Sequence, residues 1–292
     1  MYELIKITEH NYYIDCPTKV GIYEAAPGRV WLIDSGSDKD AGRKVWKHIT
    51  EQGWTVEGIL ITHSNADHMG GAQLIMQRSG CRAYAAGMEK CVVEHTVLEP
   101  ALLYGGYPPA PLRGKFLMAS SVPCEDIDRA PLPEGVQIID LPGHFLEMFG
   151  VLTPEGVCYC ADAVFSAAVT EKYHVNFVYD VRAAMDCLRE LPKTNAKWFL
   201  PAHAELTEDI APLCRLNLDK MEEIIAFLLE TCRERVCFED ILKAVFDRFG
   251  LAMNFGQYVL VGSSVRSYLA YLLDDGQLKA DFAENRMLWQ SA

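Results

Sequence analysis

One short stretch constrains this chain more than any other: Ile61-Thr62-His63-Ser64-Asn65-Ala66-Asp67-His68. It closes the strand-like residues 58–62 and precedes Met69-Gly70-Gly71, which opens a helix-like run from about 69 to 78. The fold must therefore bring four metal-capable side chains, His63, Asn65, Asp67 and His68, to the C-terminal edge of a strand. That edge is where α/β proteins place their sites. Histidine offers a neutral nitrogen and aspartate a hard oxygen, a mixture that suits zinc, iron or manganese. Read alone, the stretch also admits a plain helix cap, with Asn65 or Asp67 accepting from first-turn N–H groups.

Three later residues repeat the same layout of apolar strand, then ligand, at the start of a loop. They are His144 in Leu141-Pro142-Gly143-His144, Asp162 in Cys160-Ala161-Asp162-Ala163, and His203 in Leu200-Pro201-Ala202-His203. Between these points the chain alternates strand and helix. Residues 20–25 and 30–34 read as a hairpin across a Pro-Gly turn, 39–51 as a helix, and 81–85 as a strand. Residues 136–141, 149–153, 157–160 and 198–200 read as further strands, with a helix at 181–191. The rhythm argues for helices layered on sheets. Residues 98–128, rich in proline and glycine, read as a long loop or flap.

From about residue 207 the character changes. Helical patterns at 210–232, 238–249 and 263–273 precede a β-like tail at 277–282 and 287–290. Three helices and a small hairpin resemble a winged-helix module. Residues 213–292 hold nine Lys/Arg against twelve Asp/Glu, a net of −3, whereas a DNA-reading module is usually basic. Packing, dimerisation or covering of substrate suits this segment better. The expected division is 1–206 and 207–292.

The ordered motifs resemble the metallo-β-lactamase superfamily over about residues 10 to 205, with its His-x-His-x-Asp-His, then Gly-His, then Asp, then a late His. The resemblance implies an α/β fold, a four-layer αβ/βα sandwich, extended here by the helical C-terminal segment. It also implies metal-dependent hydrolysis, with zinc as the expected cofactor and iron or manganese as alternatives. By the same resemblance the first pocket would use His63, Asn65 and His144. The second would use Asp67, His68 and His203, and Asp162 would bridge the two. Asp67 and Asp162 would carry the catalytic roles. Asn65 departs from the family pattern, which has His there, and an amide oxygen is a weaker zinc ligand than an imidazole. The second pocket keeps enough donors for one catalytic metal, which needs about three protein ligands and an open position.

Composition narrows the partners. The net charge of −13 and pI near 5.1 disfavour phosphate backbones and anionic membranes, so a small-molecule substrate is expected and nucleic acid is not. No apolar run reaches the roughly 18 residues that a membrane span needs. The first residues show no signal-peptide pattern. Ten scattered cysteines without a CxxC pair read as reduced thiols, so a cytoplasmic protein is expected. The apolar C-terminal helices allow a homodimer. Tyr104 and Tyr107 in the flap, and Tyr173 and His174 after Asp162, are candidates for shaping the substrate. Glu147 is a candidate to support His144. His10, His48, His95 and also His174 lack the ligand context and read as structural or exposed. Besides the hydrolase, the ligand set admits an iron-dependent oxidoreductase or a catalytically degenerate binding protein. A nuclease fits the charge poorly.

Overall fold

The computed structural model describes residues 2–292. Seven strands form the first sheet in sequence order: β1 (Glu3–Lys6), β2 (Asn11–Asp15), β3 (Val20–Ala26), β4 (Arg29–Ile33), β5 (Thr55–Leu60), β6 (Arg82–Ala85) and β7 (Cys124–Asp126). The first four pair antiparallel, and β4 to β7 pair parallel. Parallel neighbours need crossovers. Helix α1 (Lys39–Glu51) supplies the first, and α2 (Ala66–Met69) with α3 (Ala72–Ser79) the second. Asp38 starts α1 by accepting from the N–H groups of Asp40 and Ala41, and Ala41, Val45 and Ile49 form its buried face.

The helix expected over 69–78 is two helices broken at Gly70-Gly71. A Cβ on Gly70 would lie 2.3 Å from Ser37 O, and one on Gly71 2.2 Å from Ser35 O. Only glycine lets this joint press against the 35–37 loop. Residues 98–128 are also more ordered than a flap. They hold α5 (Leu98–Tyr104), which follows α4 (Gly87–Glu94), then a 3-10 turn at Ala110–Leu112, edge strand β7 and the start of another 3-10 turn at Ile127–Arg129. Pro100 falls in the first turn of α5, where its missing N–H would be unpaired anyway.

The second sheet runs β11-β10-β9-β8, built from β8 (Gln137–Asp140), β9 (Phe149–Leu152), β10 (Val157–Phe165) and β11 (Trp198–His203). Helices α6 (Ala167–Tyr173) and α7 (Val181–Glu190) connect the parallel pair β10 and β11. Alternation along each strand then sets the layers. Val30 and Leu32 of β4 face α1 and α3, whereas Trp31 and Ile33 face the second sheet and meet Phe149, Tyr159 and Leu200. The far side of the second sheet, with Cys158, Cys160 and Phe199, is covered by α7. The order is helix, sheet, sheet, helix, the four-layer α/β sandwich expected.

The C-terminal segment comprises α8 (Ala211–Thr231), β12 (Val236–Cys237), α9 (Phe238–Phe249), α10 (Phe255–Asp274), β13 (Leu278–Ala283) and β14 (Arg286–Ser291). Its apolar residues join those of α7 and β10 in one continuous cluster, from Leu141 to Trp289. α10 begins eight residues before the expected start, capped where Asn254 Oδ1 accepts from Gln257 N. It thereby reaches α5 across the mouth of the sandwich. All ten cysteines are free thiols. Among the described residues no helix is long and apolar enough to cross a membrane.

Candidate metal centre

All seven singled-out ligand candidates arrive at one edge of the sandwich. His63 and Asn65 sit in the loop after β5, Asp67 and His68 on α2, His144 in the β8–β9 connection, Asp162 within β10, and His203 at the end of β11. The β10–β11 register shifts on both sides of Ala161, whose φ is +47°. A bulge of this kind re-aims the next side chain, here Asp162, toward the centre.

Every imidazole is tied back through Nδ1. His68 Nδ1 donates to Asp34 Oδ2 at 2.7 Å, His203 Nδ1 to Pro17 O at 3.0 Å, and His144 Nδ1 to Phe177 O at 3.2 Å. His63 Nδ1 lies 3.1 Å from Thr62 Oγ1, whose own hydrogen faces Asp34. Fixing Nδ1 in this way turns Nε2 toward the centre, where it offers a lone pair once the ring is neutral, the arrangement of metal-binding histidines.

Two groups of donors result. His63, His144 and Asp162 each present an atom within 4.8 Å of the others, and so do Asp67, His68 and His203. Asp162 stands between the groups. Its Oδ1 is 3.1 Å from His68 Nε2, and its Oδ2 is 3.3 Å from His203 Nε2 and 3.6 Å from His144 Nε2. Asp67 Oδ2 lies 3.3 Å from His203 Nε2 and accepts from Thr18 Oγ1 at 2.8 Å. His63 Nε2, His68 Nε2 and Asp162 Oδ1 are buried without a hydrogen-bond partner. Three orphaned polar atoms in one place are unusual in a folded protein, and a cation would satisfy all three. The residues fit a metal.

The electrostatics point the same way. Burial would lift the Asp162 pKa, but His203 and His68 hold it well below the usual carboxylate range. Burial would likewise lift Asp67, and His68 and His203 outweigh it. Burial would lower His203, yet Asp162 and Asp67 push it up to about 10. His68 is also raised, because Asp162, Asp34 and Asp67 outweigh its burial. His63, buried beside His68, is depressed. The carboxylates of the second group therefore demand positive charge.

The structure adds support that sequence spacing did not signal. Asp34 ends β4 and accepts from Thr62 N at 2.8 Å as well as from His68. Glu89 on α4, fully buried, accepts from Ser64 N and Oγ through one oxygen and from Glu147 N through the other. It thus fastens the His63 loop to the His144 loop. Glu99 on α5, 4% exposed, accepts from Asn65 Nδ2 at 2.9 Å. Burial raises the pKa of both glutamates. Glu147 has a different place from the one expected. Its carboxylate accepts from Met88 N at the start of α4 and does not touch His144.

A cleft of about 590 Å³ opens over Asp67, Asp162 and His203. This is within the span of roughly 300–1,000 Å³ typical of small-molecule sites. Its walls include Leu103, Phe116 and Leu117 from residues 98–128, Val169 from α6, and Leu260 from α10. Tyr173 lines it, next to Lys172. Tyr104 and Tyr107 do not. They are 46% and 75% exposed, and Tyr107 OH accepts from Arg113 outside the cleft. His174 turns toward the C-terminal segment, where its ring stacks on Phe249 and Nδ1 accepts from Lys220 Nζ at 3.3 Å.

The family model described as Metallo-beta-lactamase superfamily matches residues 13–203. A hydroxyacylglutathione hydrolase from Hahella chejuensis is 26% identical over 169 residues, 56% of this chain and 54% of that protein. One from Shewanella pealeana is 28% identical over 141 residues, 47% of this chain and 43% of that protein. The chain spans about half the length of the curated relatives it matches. Among solved structures, a beta-lactamase domain protein from Burkholderia ambifaria superposes with a TM-score of 0.72 at 14% identity, covering 99% of this chain and 94% of that one. A metallo-beta-lactamase family protein from Thermus thermophilus gives 0.70 at 15%, covering 99% and 97%. Both superpositions include the C-terminal segment.

Proposed function

The chain belongs to the metallo-beta-lactamase superfamily, and from that premise we propose that it is a metal-dependent hydrolase of a small-molecule ester or thiolester. One observation carries the reading. Four imidazoles, each held at Nδ1, present Nε2 to the carboxylates of Asp67 and Asp162 in a cleft open to solvent. His63, Asn65 and His144 would hold one cation, and Asp67, His68 and His203 a second, with Asp162 shared. Nitrogen and hard oxygen donors suit zinc first, with iron or manganese as alternatives. A bound divalent cation supplies Lewis acidity, polarising a carbonyl and acidifying a coordinated water.

The chain's own residues do the rest. Asp34, Pro17 O and Phe177 O fix the orientation of three imidazoles. Asp67, half-buried, accepts from Thr18 at Oδ2 on the cleft side and is kept ionised by His68 and His203, ready to take a cation. The apolar walls from Leu103, Phe116, Val169 and Leu260 exclude water from the substrate's acyl group. Among the described residues, Lys172 is the one lysine or arginine on those walls. A thiolester with an apolar acyl group and a single anionic end fits this lining. The names of the relatives support the thiolester class. The C-terminal segment serves this site by walling the cleft with α10, which fits its net negative charge better than nucleic-acid binding.

Elemental analysis of the purified protein and assays over a panel of esters and thiolesters test the proposal. Asp67→Ala and His203→Ala are expected to lower kcat/KM at least about a hundredfold, an effect within what one metal-ion contribution supplies. Full activity in both variants, or a protein that takes up no metal, overturns it. Dominant iron with oxygen consumption would move the assignment to the redox branch of the same fold.

A further inference from the structure

We propose that Glu99 is a positioning residue for the first metal pocket, locking the Asn65 amide so that its oxygen, and not its nitrogen, faces His144. The inference rests on the metal reading above. Asn65 replaces an imidazole by an amide, and an amide has two unlike ends. Only the oxygen can bind a cation, so the pocket works only if the amide cannot turn over.

Glu99 prevents the turn. Its Oε1 accepts from Asn65 Nδ2 at 2.9 Å, and its side chain is buried with no lysine or arginine paired to it among the described residues. With the amide reversed, Asn65 Oδ1 would face Glu99 Oε1, and these two acceptors could meet out of water only by taking up a proton, whereas the amide N–H observed there needs none. In the orientation observed, Asn65 Oδ1 lies 3.1 Å from His144 Nε2. His144 has already committed its Nδ1–H to Phe177 O, so a neutral ring offers only a lone pair there. Two acceptors thus converge on one spot, beside the unpartnered Nε2 of His63. Such a cluster of lone pairs is costly unless it shares a cation. Left alone, the amide would turn and donate Nδ2–H to His144. Glu99 opposes that turn, and α5 places it there.

Zinc titration against a chromophoric chelator tests this, reading both affinities in wild type, Glu99→Leu, Asn65→Asp and the double variant. Carboxylate ends are alike, so an aspartate in place of Asn65 needs no orienting partner. Glu99→Leu is expected to weaken the first site about 10- to 100-fold, the usual effect of removing a group that orients a metal ligand. In the Asn65→Asp background an aspartate oxygen stands where Nδ2 donated to Glu99 Oε1, so the same change removes a clash of acceptors and is expected to leave the first site unchanged or tighter, and the second site stays unchanged throughout. Equal weakening in both backgrounds marks a merely structural role and overturns the proposal. So does an unchanged first site, or a wild type whose single zinc is lost in His203→Ala but kept in His63→Ala. A wild type that binds no zinc at all refutes the metal reading itself, a separate result. Thermal melts of the metal-free variants show whether each is folded.

Discussion

Asp34 Oδ2 accepts from His68 Nδ1 at 2.7 Å with both side chains buried, and Asp34 does so from a left-handed backbone, φ +66°. A non-glycine residue in that region is strained, at a cost of about 1–3 kcal/mol. The fold holds it because one carboxylate there closes two circuits. It fixes the end of β5 through Thr62, and it sets the His68 tautomer. Asp34→Asn keeps the shape but can present an amide N–H to His68 Nδ1, reversing the tautomer. The expected result is a 10- to 100-fold loss of zinc affinity at the second site with little change in fold. Asp34→Ala leaves Thr62 and His68 without an acceptor and is expected to destabilise the metal-free protein by about 3–5 kcal/mol. Urea unfolding followed by circular dichroism measures the second effect, and chelator competition the first.

Glu89 joins two loops that are far apart in sequence. Glu89→Ala removes the acceptor for Ser64 N, Ser64 Oγ and Glu147 N at once. Unsatisfied buried donors cost about 1–3 kcal/mol each. Water entry recovers part of that, so a loss of about 3 kcal/mol is expected, with His63 and His144 both displaced. Glu89→Gln keeps one acceptor oxygen and is expected to lose less than half as much. A Glu89→Ala protein that melts like wild type would show that the loops are held by other contacts.

The candidate ligand side chains were legible because each carries its own local signature, a polar residue where an apolar strand runs out. Their convergence followed from layering, since every such strand end lies on one edge. Asp34, Glu89 and Glu99 carry no such signature. They come from a strand end and two short helices, and only packing brings them to the site. Glu99 was further hidden because residues 98–128 read as loop. Leu98-Glu99-Pro100 in fact opens a helix, with an acidic residue and proline in its first turn and Gly105 at its end, φ +77°. The first half of α10 was missed for a different reason. It is apolar on most sides and interrupted by Gly256 and Gly262, so no 3.6-residue period shows. Its importance is positional, since it walls the cleft.

His203 couples the site to pH. Its pKa is raised from about 6.5 to about 10 by Asp162 and Asp67, so in the metal-free protein it keeps its proton at neutral pH. A raised folded-state pKa gives stability that is fully present below the unfolded value and is lost as pH rises through the folded one. The metal-free protein should therefore lose stability between about pH 6.5 and 10. Metal has to displace that proton and the one on His68. Zinc binding at pH 7 should release protons, and the apparent affinity should rise with pH across the same window. Calorimetry in buffers of different ionisation enthalpy measures the release. No buffer dependence would show that His203 is neutral before metal arrives.

Tyr173 and the two flap tyrosines make opposite predictions from similar sequence contexts. Tyr173 lines the cleft beside Lys172, whereas Tyr104 and Tyr107 lie outside it. A side chain on the wall touches the substrate in its ground state and transition state alike, so its removal acts mainly on KM. Tyr173→Ala should raise KM for the best thiolester about 3- to 30-fold, roughly the 0.7–2 kcal/mol of a lost aromatic contact, with kcat within about threefold. Tyr104→Ala and Tyr107→Ala should leave both constants within about twofold. Saturation kinetics on the three variants separate these cases. If Tyr107→Ala moved KM as far as Tyr173→Ala, residues 105–115 would have to fold over the cleft during turnover, bringing Tyr107 onto the substrate from the position it now holds against Arg113.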